Sequence, residues 1–444
     1  MNGNRDGSGW WKITDVRVID PYRQQEWLGD VIVGQGHFQD GVATVGETER
    51  VEIVAGRGLW LVPRLLDMHV HFRAPGQEWK EDLASGAAAA AHGGFSAVVT
   101  MPNTDPVVDS PSLVSWQIAE SRRIGLVDVL PAGAVTKTSQ GHELAELWKM
   151  EQAGAVAFSD DGRPVADGGL MRSALSYSAT LSRPIVQHAE DLTLSGQGVM
   201  HEGAVSGRLG LAGVPGAAEA VVAWRDVQLA ALTGGRLHIA HVSTPGALEA
   251  IQWAKAHDLS VTAEVTPHHL FFTDERVAEL AFSPATKVNP PLRPESYRQA
   301  LLQAMKSGLI DVIASDHAPH HADEKDLPYN HAPFGISGLE TAVAAVITVG
   351  LGELAMSPLA LFERMTAAPH RILGLAYRGL TPGEWADFAL IDPDARWTVD
   401  PGTWYSQGKH TPWRGMELRG QVVAAMHRGR WTVREGEVLP CAAH

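Results

Sequence analysis

His69-Val70-His71 is the sharpest chemical signal in the chain. On an extended strand, residues i and i+2 share a face, so both imidazoles can reach one ion while Val70 points away. Other apolar runs also end in polar residues: Asn103, Asp160 and Asp161, His188, His241, and Asp316 with His317. One His-x-His alone fits two hydrogen-bonded strand-end histidines as well as it fits a ligand pair. Its recurrence with His and Asp at other run ends favours an ion held by nitrogen and oxygen donors. Asp161 alone, in Phe158-Ser159-Asp160-Asp161-Gly162, would fit an Asp-Gly turn. In this company it is a candidate bridge between two cations, because GAVAFSDDG holds no lysine to carry a carboxylated amine. Asp316 suits proton transfer: a carboxylate beside an activated water can take its proton and return it to a leaving amine.

His268-His269 and His320-His321 are adjacent pairs, so on a strand at most one member of each faces a site. His37, His142, His257, His410, His427 and His444 lie outside any convergent position and read as bystanders. No HExxH, Walker A or GxSxG motif is present, and GQGVM is too short for a dinucleotide fingerprint.

Composition narrows the class. The 444 residues include 20 His and one Cys, Cys441, which excludes a disulfide framework or a cysteine zinc knuckle. A net charge of −15 argues against nucleic acid or anionic membrane as partners. The longest apolar stretch, Thr341 to Gly352, is shorter than the ~20 residues a membrane span needs. The opening MNGNRDGSGWWK lacks a signal-peptide core and reads as a disordered leader, which makes the cytoplasm the expected compartment.

These residues need elements to position them. From about Leu66 to Gly352, eight β-rich runs alternate with helical stretches: LLDMHVHF, FSAVVTMPN, DVLPAGAV, GAVAFSDD, PIVQHAED, LHIAHVST, SVTAEVTPHH and DVIASDHAP. That is the arithmetic of an α/β (β/α)8 TIM-type barrel, whose active site lies where strand C-termini converge. DLASGAAAAAHGG, PSLVSWQIAESRR, HELAELWKMEQAG and PGALEAIQWAKAHD are the expected helices. Both chain ends read as short strands and are expected to share one small β-sandwich, since neither can bury a core alone. The expected boundaries are 1–62 and 376–444 for the sandwich and 63–375 for the barrel. The polar stretch from Ala322 to Pro333 reads equally as a lid or a solvated loop.

The chain resembles the class I dihydroorotases, cyclic amidohydrolases of the amidohydrolase superfamily. LDMHVHFRAPG, TMPNTDP, FSDDG, IVQHAED, HIAHVST, VTAEVTPHHL, KVNPPLR, IASDHAPH and APFGISGLE carry the resemblance, in order, across nearly the whole chain. It implies zinc, two ions per subunit, with His69, His71 and Asp316 on one, His188 and His241 on the other, and Asp161 shared. It implies substrate contacts from His71, Arg73, Asn103, Asn289 and His320 and from the backbone around Phe334 and Gly335. It implies interconversion of (S)-dihydroorotate and N-carbamoyl-L-aspartate in pyrimidine (UMP) biosynthesis, with a metal-bridging hydroxide as nucleophile and Asp316 as catalytic base and acid. A homodimer, and association with aspartate carbamoyltransferase, are the partners it suggests. The alternatives are a dihydropyrimidinase, hydantoinase or allantoinase, or an inactive structural homologue. Two positions depart from the family pattern: Arg64 stands where Gly is usual and Ala74 where Glu is usual.

Overall fold

A computed structural model describes residues 9–40 and 51–440. The first eight residues of the expected leader, Cys441 and His444 lie outside the described residues. Eight parallel strands form the barrel: β1 (Leu65–Val70), β2 (Phe95–Thr100), β3 (Asp128–Gly133), β4 (Ala157–Ser159), β5 (Ile185–Gln187), β6 (Leu237–Ile239), β7 (Val261–Val265) and β8 (Val312–Ile313). Each pairs with its neighbour in chain order. A bridge between Val70 and His317, with His71 N–H donating to His317 O at 2.8 Å, joins the first strand to the segment after the last.

Strands covered on both faces read as continuous apolar runs, and β1, β2 and β4 are buried throughout. Leu66, Met68, Ala97, Val99, Met101, Val186 and Val312 form one cluster that fills the barrel interior. Leu65, Val70, Phe95 and Val98 join the larger cluster shared with the helices. On β1, Met68 belongs to the inner cluster but Val70 to the outer one, although they are two residues apart. A register shift between Asp67 and Val70 explains this. The bulge reverses the alternation, so His69 and His71 turn inward at the mouth while Val70 turns outward.

The helices start where capping chemistry allows. Asp82 and Ser85 form a capping box before Leu83–His92, and Thr244 caps Pro245–Ala256, with Pro at the first position. One expected helix is shorter than its sequence suggests. The helix expected over 142–154 runs only from Leu147 to Ala153. Upstream residues are drawn into pairing, with Ala145 N–H donating to Val135 O and Lys137 N–H to Glu143 O. Among the described residues no helix is long and apolar enough to cross a membrane.

The two chain ends share one nine-stranded sheet, joined where Trp60–Pro63 pairs antiparallel with Phe388–Ile391. The Trp11 and Trp431 rings lie 6.5 Å apart although three strands separate theirs in the sheet. Four strand spacings laid flat would put them about 19 Å apart. The sheet therefore folds back on itself, sandwich-like, around Ile13, Val18, Val33, Phe38, Phe388 and Met426. Each such side chain contributes roughly 1.5–3 kcal/mol when fully buried, and this shared core is the reason the distant ends combine.

Candidate metal centre

Asp161 stands at the middle of the barrel mouth, just beyond β4. Its Oδ2 lies 3.3 Å from His69 Nε2 and 3.4 Å from His71 Nε2. Its Oδ1 lies 3.3 Å from both His188 Nδ1 and His241 Nε2. One carboxylate thus divides its two oxygens between two imidazole pairs. His69, His71 and Asp161 form one triplet of donors, and Asp161, His188 and His241 a second. Asp316 Oδ1 adds to the first, 3.2 Å from His71 Nε2 and 3.6 Å from His69 Nε2.

The electrostatics call for cations. Burial alone would raise the Asp161 carboxyl, but His69, His188 and His241 hold it well below the usual carboxylate range. Burial likewise lowers the His188 imidazole, yet Asp161 and Glu190 reverse this and lift it to about 10. His69 Nε2 faces two carboxylates and is buried without a hydrogen-bond partner among the described residues. Nitrogen and oxygen donors in two triplets sharing a carboxylate fit divalent ions. His241 and Asp316 also sit at φ 33° and 48°, left-handed conformations costing about 1–3 kcal/mol each that typically cluster at functional sites.

The outward nitrogens of three of these histidines have partners. His69 Nδ1 donates to Glu264 Oε1 at 2.7 Å, and His71 Nδ1 to Asn103 Oδ1 at 2.8 Å. His188 Nε2 donates to Glu190 Oε2 at 3.0 Å. Each partner selects the tautomer and so the nitrogen offered inward. That is why His188 presents Nδ1 where the other three present Nε2. Glu264 is itself held by His238 Nε2 at 3.2 Å. Glu264, Glu190 and His238 were not among the residues singled out from sequence. The signal available was a charged residue inside otherwise apolar strands, as in VTAEV.

The remaining expected residues gather around this centre. Arg73, at φ 58°, donates from Nε to Pro319 O at 3.2 Å, and its Nη2 lies 3.3 Å from His320 Nε2. It keeps this placement with Ala74 beside it. Asn289 Nδ2 donates to Glu190 Oε2 at 2.9 Å, and His320 Nε2 donates to Phe334 O at 2.8 Å. Gly335 has φ 124°, and a Cβ there would lie 2.6 Å from Ala318 O, so only glycine lets this backbone line the mouth.

Other residues turn away. Asp160 accepts from the N–H groups of Val135 and Thr136 and from the Thr136 hydroxyl. His317 accepts from Gly338 N–H at Nδ1. The strand geometry expected for His268-His269 is corrected: both lie in a short helix, Pro267–Phe271, and both are buried. His269 is paired with Thr266 and Pro290, whereas among the described residues neither ring nitrogen of His268 has a partner. The 322–333 stretch begins with a helical turn, Ala322–Lys325, and buries Lys325, Tyr329 and Ala332. Of the expected bystanders, His427 lies far along the chain from this centre but is buried between Asp128 and Asp387.

Known proteins share this architecture. A solved L-hydantoinase (dihydropyrimidinase) from Arthrobacter aurescens matches with a TM-score of 0.84 at 25% identity, covering 97% of each chain. A dihydropyrimidinase from Brevibacillus agri NCHU1002 also scores 0.84, at 21% identity over 98% of this chain and 97% of its own. The family profile described as "Dihydro-orotase-like" matches residues 58–246. Curated relatives are closer in sequence. A dihydroorotase of Anaeromyxobacter dehalogenans (strain 2CP-C) is 45% identical over 421 residues, 95% of this chain and 97% of that protein. One from Pelotomaculum thermopropionicum is 47% identical over 418 residues, 94% and 97% respectively. Identity at this level along nearly the whole length, with the His/Asp cluster in place, shows that the chain belongs to the dihydroorotase family.

Proposed function

We propose that this enzyme interconverts (S)-dihydroorotate and N-carbamoyl-L-aspartate in the de novo pyrimidine (UMP) pathway, at the centre around Asp161. The observation that carries the reading is the division of the Asp161 oxygens between His69/His71 and His188/His241. We take His69, His71 and Asp316 as ligands of one ion, His188 and His241 of the other, and Asp161 as shared. Zinc, two ions per subunit, would polarise the ring carbonyl and lower the pKa of water.

The chain's own groups do the rest. Asp316 is ionised, because His71 and its neighbours outweigh burial and hold it at about 2. It takes the proton of the attacking water and returns it to the departing ring nitrogen. Arg73 grips the substrate carboxylate with its guanidinium. Asn103, Asn289, His320 and the Phe334–Gly335 backbone hold the ring amides and carbonyls. Asn103 and Asn289 carry a second duty, through His71 and through Glu190.

The hydantoinase-type structures share the fold, which alone does not choose a substrate. Asp161 in the place of a carboxylated lysine and Arg73 after the His-x-His favour the carboxylate-bearing ring. We further place the reaction in the cytoplasm, in a homodimer able to associate with aspartate carbamoyltransferase. Metal analysis of purified protein, paired with turnover of dihydroorotate against dihydrouracil, hydantoin and allantoin, tests the assignment. Preference for a ring without a carboxylate would overturn it.

A further inference from the structure

The metal centre is rich in carboxylates, but the rim above it is cationic. Lys287 and Lys325 are each only 2% exposed. Lys287 Nζ donates to the carbonyls of Tyr329 at 2.8 Å, Asn330 at 3.2 Å and Ala332 at 2.7 Å. It also lies 4.7 Å from the Phe334 ring centroid, and its own carbonyl accepts from Gly335 N–H at 2.9 Å. Lys325 Nζ donates to Pro284 O at 3.1 Å and Pro333 O at 2.8 Å. Among the described residues neither lysine makes a salt bridge. Glu324, the adjacent carboxylate, is taken up by Lys80 at 3.0 Å and His320 at 3.2 Å. Arg73, also buried, donates to Pro319 O and is offset by the nearby carboxylates of Asp316 and Glu324.

Buried charges are normally paired, so two ammonium groups satisfied by carbonyls alone form a costly arrangement. Burial pushes Lys287 down to about 8, and burial together with Lys287 and Arg73 pushes Lys325 down to about 7. In a chain of net charge −15, counter-ions are not scarce. What the two lysines lack is an anion of their own. The loop that these lysines clamp is the one that presents Phe334 and Gly335 to the mouth.

We propose that Lys287 and Lys325 are specificity-determining residues whose uncompensated charges, set behind Phe334–Gly335 and His320, make the site prefer a ring bearing a carboxylate over the same ring without one. The inference rests on the dihydroorotate reading above and adds to it. An incoming carboxylate gripped by Arg73 supplies the missing counter-charge; a neutral ring gains nothing from it. The lysines also preorganise the loop, which would help every ligand alike. The charge effect is therefore the part that separates ligands.

Lys287→Gln and Lys325→Gln keep an N–H donor for the carbonyls and remove the charge. Calorimetry at pH 6, where both lysines are protonated, on metal-loaded wild type and both variants compares orotate with orotamide, its uncharged carboxamide, with melting temperature and metal content as controls. The dissociation constant of orotate should rise about fivefold or more in each variant, the scale of removing one unit charge near an anion site, and that of orotamide less than about twofold. With dihydroorotate, KM should rise while kcat holds. Equal weakening of both ligands would make the lysines mere loop supports, and unchanged orotate binding would remove them from recognition; either result overturns the proposal. Should one variant fail to fold, the other decides by the same comparison, and orotamide bound by the wild type as tightly as orotate refutes the proposal in any case. Turnover of dihydroorotate by the wild type tests the functional reading separately, so the two failures are distinguishable.

Discussion

The two ends of the barrel bury charge in opposite ways. At the C-terminal mouth, Asp161, Asp316, Glu264 and Glu190 are matched mainly by imidazoles, whose protons a bound metal can replace. At the N-terminal end, Arg64 ion-pairs with Asp387 and, at 2.7 Å, with Asp128. Arg428 reaches Asp128 at 2.8 Å, and His427 lies 3.2 Å from Asp387. There the carboxylates already have permanent cations, and the cluster ties barrel to sheet. A balanced buried network is architecture; an anionic surplus awaiting cations is a site. The comparison also accounts for Arg64, which takes a left-handed conformation at φ 34° where the family usually has Gly.

The sharpest way to break this contrast is to remove one charge at each end. Asp316→Asn should keep most bound metal and lose about two to four orders of magnitude in kcat, measured with metal analysis on the same sample. Near-wild-type turnover would refute its role as base. At the other end, Arg64→Met leaves Asp387 and Asp128 short of a cation. It should cost about 3–5 kcal/mol in urea unfolding while kcat per folded molecule stays near wild type. Loss of catalysis without loss of stability would erase the distinction between the ends.

Smaller effects sharpen it. Glu264→Gln should weaken metal binding about 10–100-fold, read by competition with a chelator, because His69 loses the carboxylate that orients it. Unchanged affinity would make Glu264 a spectator. The last test uses pH. Burial lowers His427, but Asp387 and Asp128 lift it to about 9, above its unfolded value. A raised histidine stabilises fully below the unfolded pKa and loses that contribution as pH climbs through the folded one. The stability gap between wild type and His427→Gln should therefore narrow by about 3 kcal/mol between pH 6.5 and pH 9.5. A gap that widens with pH would refute the assignment.

Much of the centre was legible in the residues themselves. A strand has a period of two, so His69 and His71 had to share a face, and apolar runs ending in His188, His241 and Asp316 had to bring those ends together once the runs formed a barrel. What could not be read were contacts between side chains far apart in sequence. Glu264 meets His69 across 195 positions, and Arg64 meets Asp387 across 323. Local pattern also misassigned His268-His269, because Pro267 starts a helical turn directly after the strand.

The sequence by itself determined which groups could bind metal and on which strand ends they sit, because alternation and apolar runs are local properties of the chain. Only the tertiary structure decided which nitrogen each histidine offers and which buried charges find partners. The β1 bulge that turns His69 and His71 inward likewise emerges only in the paired sheet. Those outcomes depend on packing elements against one another, and no short stretch of residues encodes the geometry of its distant neighbours.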